Sequence, residues 1–167
     1  HLITLGKAYW LTSDERYTRE FVTQVESWID SNPVEFGVNW KSTMDVAIRA
    51  VNWILAYGFF RSSTQISSAS RKKLAKSLLL HGRYVEENLD WGTVRSNHYV
   101  ADIVGLLYLG NFFATTRQGK IWEEKALRYI IDEIDHQVHE DGVDFEASIS
   151  YHRLVTEMFL SAAILCL

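Results

Sequence analysis

Apolar residues recur at helical spacing in six stretches of the chain, and the stretches alternate between two kinds. From about Ser13 to Asp30, Phe21, Val22, Val25, Trp28 and Ile29 share one face, and the run ends at Ser31-Asn32-Pro33, where proline opposes further helix. Ser42-Thr43-Met44-Asp45 reads as a capping box for a stretch to about Phe60. There Val46, Ile48, Val51, Trp53, Ile54, Leu55 and Phe59 cover most of the circumference. The stretch from about Ser68 to Asn88 differs in kind: Leu74, Leu78, Leu79 and Val85 form a stripe, and Arg71, Lys72, Lys73, Lys76, Arg83, Glu86 and Glu87 cover the rest. About Asn97 to Thr115 is again apolar nearly all round. About Lys120 to His139 is again amphipathic and closes at Asp141-Gly142, where glycine takes a positive φ without strain. The sixth stretch begins near Tyr151, and no segment reads as a strand.

This alternation predicts an all-α fold in which the all-round apolar helices form an inner layer, buried on both sides, and the amphipathic ones an outer layer. Repeated inner and outer helix pairs describe an incomplete α/α toroid, an arc of antiparallel pairs. In that layering Arg71 to Asn88 is less buried than Tyr99 to Phe113. The whole chain, residues 1 to 167, is expected to belong to one such domain.

A polar cluster precedes each inner stretch. Asn39-Trp40, Asn97-His98-Tyr99 and Tyr151-His152-Arg153 recur once per roughly 55 residues, enough for one inner helix, one outer helix and two turns. The clusters therefore fall at the same end of the same kind of element, and all three are expected on one rim. Helix starts carry unpaired N–H groups and partial positive charge, which suits an anionic ligand.

Bulk properties narrow the partners. With 167 residues and 47% hydrophobic content the chain can bury a real core. The formal charge is −4, and the basic residues are scattered except for Arg71-Lys72-Lys73, taken as part of a solvated outer face; nucleic acid is not an expected partner. Arg49, Asn52, Asp102 and Asn111 interrupt the longest apolar runs, so no membrane span is expected. The single cysteine, Cys166, reads as a small buried apolar residue. His1 at the start and an uncapped apolar run at the end lead us to expect a piece of a longer protein.

Asn97 alone reads as a helix cap. With His98 beside it and a phenol, an imidazole and a guanidinium at Tyr151-His152-Arg153 on the same rim, a second reading opens. The C5 proton of a uronic acid is weakly acidic while the neighbouring carboxylate is ionised, so a lyase must neutralise that charge before a base takes the proton and an acid protonates the departing oxygen. Asn97 can supply the first function and Tyr151 the last. His98 can assist the base step or bind the carboxylate. Asn39, Trp40, Tyr99, Glu146, His152 and Arg153 are the expected substrate-binding residues.

Other constellations stay open. Asp141, Asp144 and Glu146 could form the carboxylate pair of a toroid glycoside hydrolase, and the domain could be a catalytically silent carbohydrate-binding or scaffolding module. His136 and His139 have metal-ligand spacing but no third ligand in view; no metal or cofactor is expected.

The strings Asn32-Pro33 through Phe36-Gly37-Val38-Asn39-Trp40, Ser96-Asn97-His98-Tyr99, and Asp141-Gly142-Val143-Asp144-Phe145-Glu146 running into Ser150-Tyr151-His152-Arg153-Leu154 resemble, in this order, the N-terminal helical domain of heparinase II/III-type polysaccharide lyases, with most likeness to heparinase III. The resemblance runs from about Asn32 to Leu167. It implies an incomplete toroid followed by a C-terminal antiparallel β-sandwich, with an acidic polysaccharide held between them in a bacterial periplasmic or secreted protein. By the same resemblance Asn97 corresponds to the carboxylate-neutralising amide and Tyr151 to the catalytic tyrosine, while a further histidine comes from the β-domain. Some family members belong to clusters that make surface polysaccharide.

Overall fold

Ser and Thr side chains mark most helix starts, because a hydroxyl just ahead of the first turn satisfies one of its unpaired N–H groups. The computed structural model describes residues 1–92 and 94–167. Its helices are α1 (Leu2–Thr12), α2 (Glu15–Ser31), α3 (Thr43–Phe59), α4 (Ser68–Glu87), α5 (Asn97–Phe112), α6 (Arg117–Gln137) and α7 (Ile149–Leu165), with a 3-10 turn at Val38–Trp40. Ser42, Ser67, Ser96 and Thr116 cap α3, α4, α5 and α6, and Asp14 caps α2. Among the described residues there is no strand, only an isolated bridge between Val138 and Asp144. No helix among the described residues is long and apolar enough to cross a membrane.

The helices form an arc of antiparallel pairs. Along the inner row α1 packs on α3, α3 on α5 and α5 on α7, while α2, α4 and α6 back α1, α3 and α5. The apolar circumference of α5 follows from its position, enclosed by α3, α4, α6 and α7; every residue from Ala101 to Gly110 is buried. Close approach needs small residues. A Cβ on Gly105 would lie 2.7 Å from the Cβ of Ala47, and one on Gly110 would lie 2.6 Å from the main-chain nitrogen of Glu123. In α4 only one stripe is buried, including Leu74, Leu78, His81 and Val85, as the expected layering requires.

Four expectations need correction. The N-terminal helix α1 carries no polar stripe and its first residue has no side-chain cap; packing against α3 fixes it, with Gly6 set against the ring of Phe59. Helix α7 is not buried on both sides: Val155, Met158 and Ala162 face inward, but Leu160 and Ile164 are exposed, because in this chain α7 packs mainly on α5. Cys166 is exposed rather than buried, lying just past the end of α7. Arg71 is no solvated surface cation, since its guanidinium donates to the hydroxyl of Tyr57 at 2.6 Å and to the carbonyl oxygens of Ser63 and Ile66, tying the α3–α4 connection to α4.

Candidate active site

The starts of α3, α5 and α7 lie at one end of the arc. The Thr43 hydroxyl donates to the carbonyl of Asn88 at 2.7 Å, joining the start of α3 to the end of α4. Asn97 reaches the loop before α7. Ser96 is the cap of α5 and Asn97 its first helical residue, so the capping reading of Asn97 is replaced by another. Its main-chain N–H donates to Oε1 of Glu146 at 2.7 Å, and its Nδ2 donates to Oε1 at 2.8 Å and Oε2 at 3.0 Å.

Residues 138–148 form the loop that presents Glu146. Gly142 turns it with φ of 85°, and main-chain bonds from His139 N–H to Val143 O and from Phe145 N–H to Gln137 O close it. Asp144 is buried, and burial lifts its carboxyl above the ordinary range; its Oδ2 accepts from the Glu146 N–H at 3.2 Å. His152 accepts from the Asp144 N–H at Nδ1, 3.3 Å. His152 thereby fastens α7 to the loop, a role its position in the string did not reveal.

His98 is half exposed, with Nδ1 3.4 Å from the Asp90 carboxylate. Among the described residues Nε2, the other ring nitrogen, has no hydrogen-bond partner. Asp90 is itself held by its N–H, which donates to Oδ2 of Asp102 at 2.9 Å. His98 and Asp90 line a polar recess of about 380 Å³ with Lys41, Ser42, Thr43, Met44, Asn88 and Leu89.

Asp102 is fully buried, and burial pushes its carboxyl up to about 7. A folded-state value above the unfolded 3.8 makes Asp102 stabilising when protonated; that contribution is lost as pH rises from about 4 through about 7, by an amount on the order of a few kcal/mol. His81 acts in the opposite sense. Burial and Arg49 lower it to about 3, so its contribution is lost as pH falls below about 6.5, and it cancels when two proteins sharing it are compared. Urea unfolding of the parent and of Asp102→Asn should therefore show the stability difference moving in favour of the variant between about pH 5 and pH 8. A difference that stays constant across that range would refute this assignment.

Tyr151, 46% exposed, stands on the first turn of α7 and lines a recess of about 460 Å³ with Ile149, Ser150, Arg153, Leu154 and Glu157. Leu154 and Glu157 also border an apolar hollow of about 260 Å³ on the inner faces of α3, α5 and α7. Arg153 is exposed and pairs with Glu157 at 2.9 Å, one turn on.

Two expected ligand-binding aromatics are buried instead. Trp40 is 2% exposed; its ring packs against His81, Tyr84 and Trp28, and its indole N–H donates to the Asn32 carbonyl. Arg49 stacks over Trp28 and Trp40 while its Nε donates to His81. Asn39, exposed, donates to Oδ1 of Asn32 at 2.6 Å. Tyr99 is 1% exposed and packs against Trp91 and Tyr129. Both rings hold loops in place and present no open face. Trp91, which packs on Tyr99, is itself exposed, and Arg95 lies over its ring.

Arg95, which no motif singles out, pairs its guanidinium with Asp132 at 2.9 Å and with buried Glu133 at 3.2 Å. Gln137 donates to the Arg95 carbonyl and to Glu133, so this group anchors the segment entering α5. Asp132, Glu133 and His136 come close enough together to hold a metal ion. Arg95 is the cation that their carboxylates already hold, and His136 turns Nδ1 to the carbonyl of Asp132. Basic and acidic residues dozens of positions apart leave no spacing signal that would have found this group.

The profile of the heparinase II/III N-terminus matches residues 1–166. The chain belongs to this family. It is 25% identical over 163 residues to a heparin-sulfate lyase of Pedobacter heparinus, covering 95% of this chain and 24% of that protein. It is likewise 25% identical to a heparin-sulfate lyase of Bacteroides stercoris, covering 95% and 26%. The chain thus spans about a quarter of the length of the curated relatives it matches. The crystal structure of heparan sulfate lyase HepC from Pedobacter heparinus superposes with a TM-score of 0.78 at 24% identity, over 96% of this chain and 25% of that one. A heparinase III, the BT4657 gene product, gives 0.79 at 21% identity, over 99% and 28%. These likenesses establish the helical arc as the fold of the heparinase II/III N-terminal domain.

Proposed function

We propose that this chain is the helical part of a polysaccharide lyase that cleaves uronate-containing acidic glycans by β-elimination. The observation that carries the reading is the Asn97–Glu146 bridge, which joins the start of α5 to the loop entering α7, the helix whose first turn carries Tyr151. The family's named lyases support the reaction class. A uronate carboxylate beside Asn97 meets an amide donor at a helix start and is neutralised. His98, half exposed and held through Nδ1 at Asp90, binds the same carboxylate or assists removal of the C5 proton. As the electron pair forms the C4–C5 double bond, the C4–O bond breaks and the Tyr151 hydroxyl protonates the departing oxygen. Asn39 and Arg153 border the rim, and a histidine from a following β-sandwich domain completes the base. A periplasmic or secreted location fits such a substrate.

The hydrolase alternative is weakened by the loop's own bonding, because Asp144 is buried and Glu146 is engaged by Asn97. The formal charge of −4 favours a lightly sulfated or unsulfated polymer over a heavily sulfated one.

The test is incubation of the full-length protein with such a polymer. An unsaturated product absorbing in the near ultraviolet is expected; saturated reducing ends alone would point to hydrolysis, and binding without product to a silent module. Asn97→Ala should lower formation of the unsaturated product by about 10²-fold or more. The comparison is made at equal folded fraction, since the substitution strands Glu146.

A further inference from the structure

We infer that Glu146 is a positioning residue for Asn97: its carboxylate fixes the orientation of the reacting amide and does not itself bind sugar. The inference rests on the lyase reading above. An asparagine amide has a donor end and an acceptor end of nearly equal shape, so its orientation follows from its hydrogen-bond partners. An ionised carboxylate accepts and never donates. With Nδ2 within 2.8 and 3.0 Å of the two Glu146 oxygens, the donor end must face Glu146, and one torsional state of Asn97 is selected.

The same Oε1 takes the main-chain N–H of Asn97 at 2.7 Å, so backbone and side chain of one residue are clamped by one carboxylate from 49 positions away. Charge-assisted bonds of this kind are about twice as strong as neutral ones. They sit where the α5 terminus adds a favourable field. Glu146 is in turn held by its own N–H on Asp144, whose N–H is held by His152 on α7. The chain of contacts therefore sets the amide on α5 relative to the helix that carries Tyr151. Asn97 is 4% exposed, which leaves it little room to reorient when substrate arrives. When one Nδ2 hydrogen is shared between the two Glu146 oxygens, the other is left to donate to the substrate carboxylate.

A glutamine at position 146 discriminates the possibilities. Glu146→Gln keeps size and the Oε1 that accepts from the Asn97 N–H and Nδ2, but it removes the charge and sets an amide NH2 in place of Oε2, donor against donor 3.0 Å from Nδ2, so the clamp loses one of its two side-chain bonds and its hold on the amide. In the full-length protein kcat should fall by about 10- to 100-fold, the range for loss of a group that orients a reacting one, while KM stays within about threefold and the thermal midpoint changes little. The Asn97 side-chain amide signals in a nitrogen-15 NMR spectrum should move, which a purely structural loss elsewhere would not cause. Glu146→Asp, which keeps the charge at shorter reach, should retain more kcat than Glu146→Gln, and it carries the test if the glutamine variant does not fold. If instead KM falls and kcat is kept, Glu146 is an internal competitor occupying the substrate's place, and the inference is overturned; unchanged kcat and KM overturn it too. Tyr151→Phe measured alongside separates the failures. Full activity in that variant removes the lyase reading itself, whereas an inactive Tyr151→Phe beside a fully active Glu146→Gln removes only the role of Glu146.

Discussion

Tyr151→Phe in the full-length protein is expected to lower turnover on a uronate polymer by about 10² to 10⁴-fold, the usual contribution of a positioned acid or base. The ring and its place beside Ile149 and Leu154 are kept. Only the hydroxyl goes, and with it the group assigned to protonate the leaving oxygen. Tyr151 is 46% exposed on the first turn of α7, so stability should change by no more than about 0.5 kcal/mol, as for other surface substitutions. Activity and thermal unfolding measured on the same preparation separate the two effects. Near-normal formation of unsaturated product would make Tyr151 a packing residue and end the mechanism proposed for it.

Gly110→Val should damage the fold severely. Gly110 faces the backbone of α6, and even a Cβ there would come within 2.6 Å of Glu123 N and 2.9 Å of its Cα. Main-chain atoms cannot swing aside as a flexible side chain can, so α5 and α6 must separate. Overpacking commonly costs about 1 to 3 kcal/mol and occasionally more; three added carbons against backbone should reach about 3 kcal/mol. For a chain of this size that corresponds to a thermal midpoint lower by about 6 to 12 °C. Because α5 is enclosed by α3, α4, α6 and α7, the loss should appear as one cooperative transition at lower temperature. A midpoint within about 2 °C of the parent would show that the helix crossing is looser than this geometry requires.

Local chemistry made much of the fold legible. Ser42 before α3 is a short-range signal that acts as a cap, and Gly142 takes the positive φ expected after Asp141. The all-round apolar pattern of Val100 to Leu109 correctly marked the most enclosed helix. Helix α1 escaped because its pattern has no polar face and no capping side chain; its helicity is settled by what it packs on. Helix α7 shows the converse, since an apolar pattern reports which residues avoid water when a neighbour is present but not whether this chain supplies the neighbour.

The sequence by itself determined the helical periods, the inner and outer alternation and the return of a polar cluster before each inner stretch, because these depend on residues within a few positions of one another. Only the tertiary structure decided what those polar residues touch. It buried Trp40 against His81 and Tyr99 against Trp91, turned His98 to Asp90, and set Glu146 on Asn97. Partners dozens of residues apart carry no mark of each other in the chain. Hydrogen bonds and burial between them exist only once the arc has brought the helix ends together.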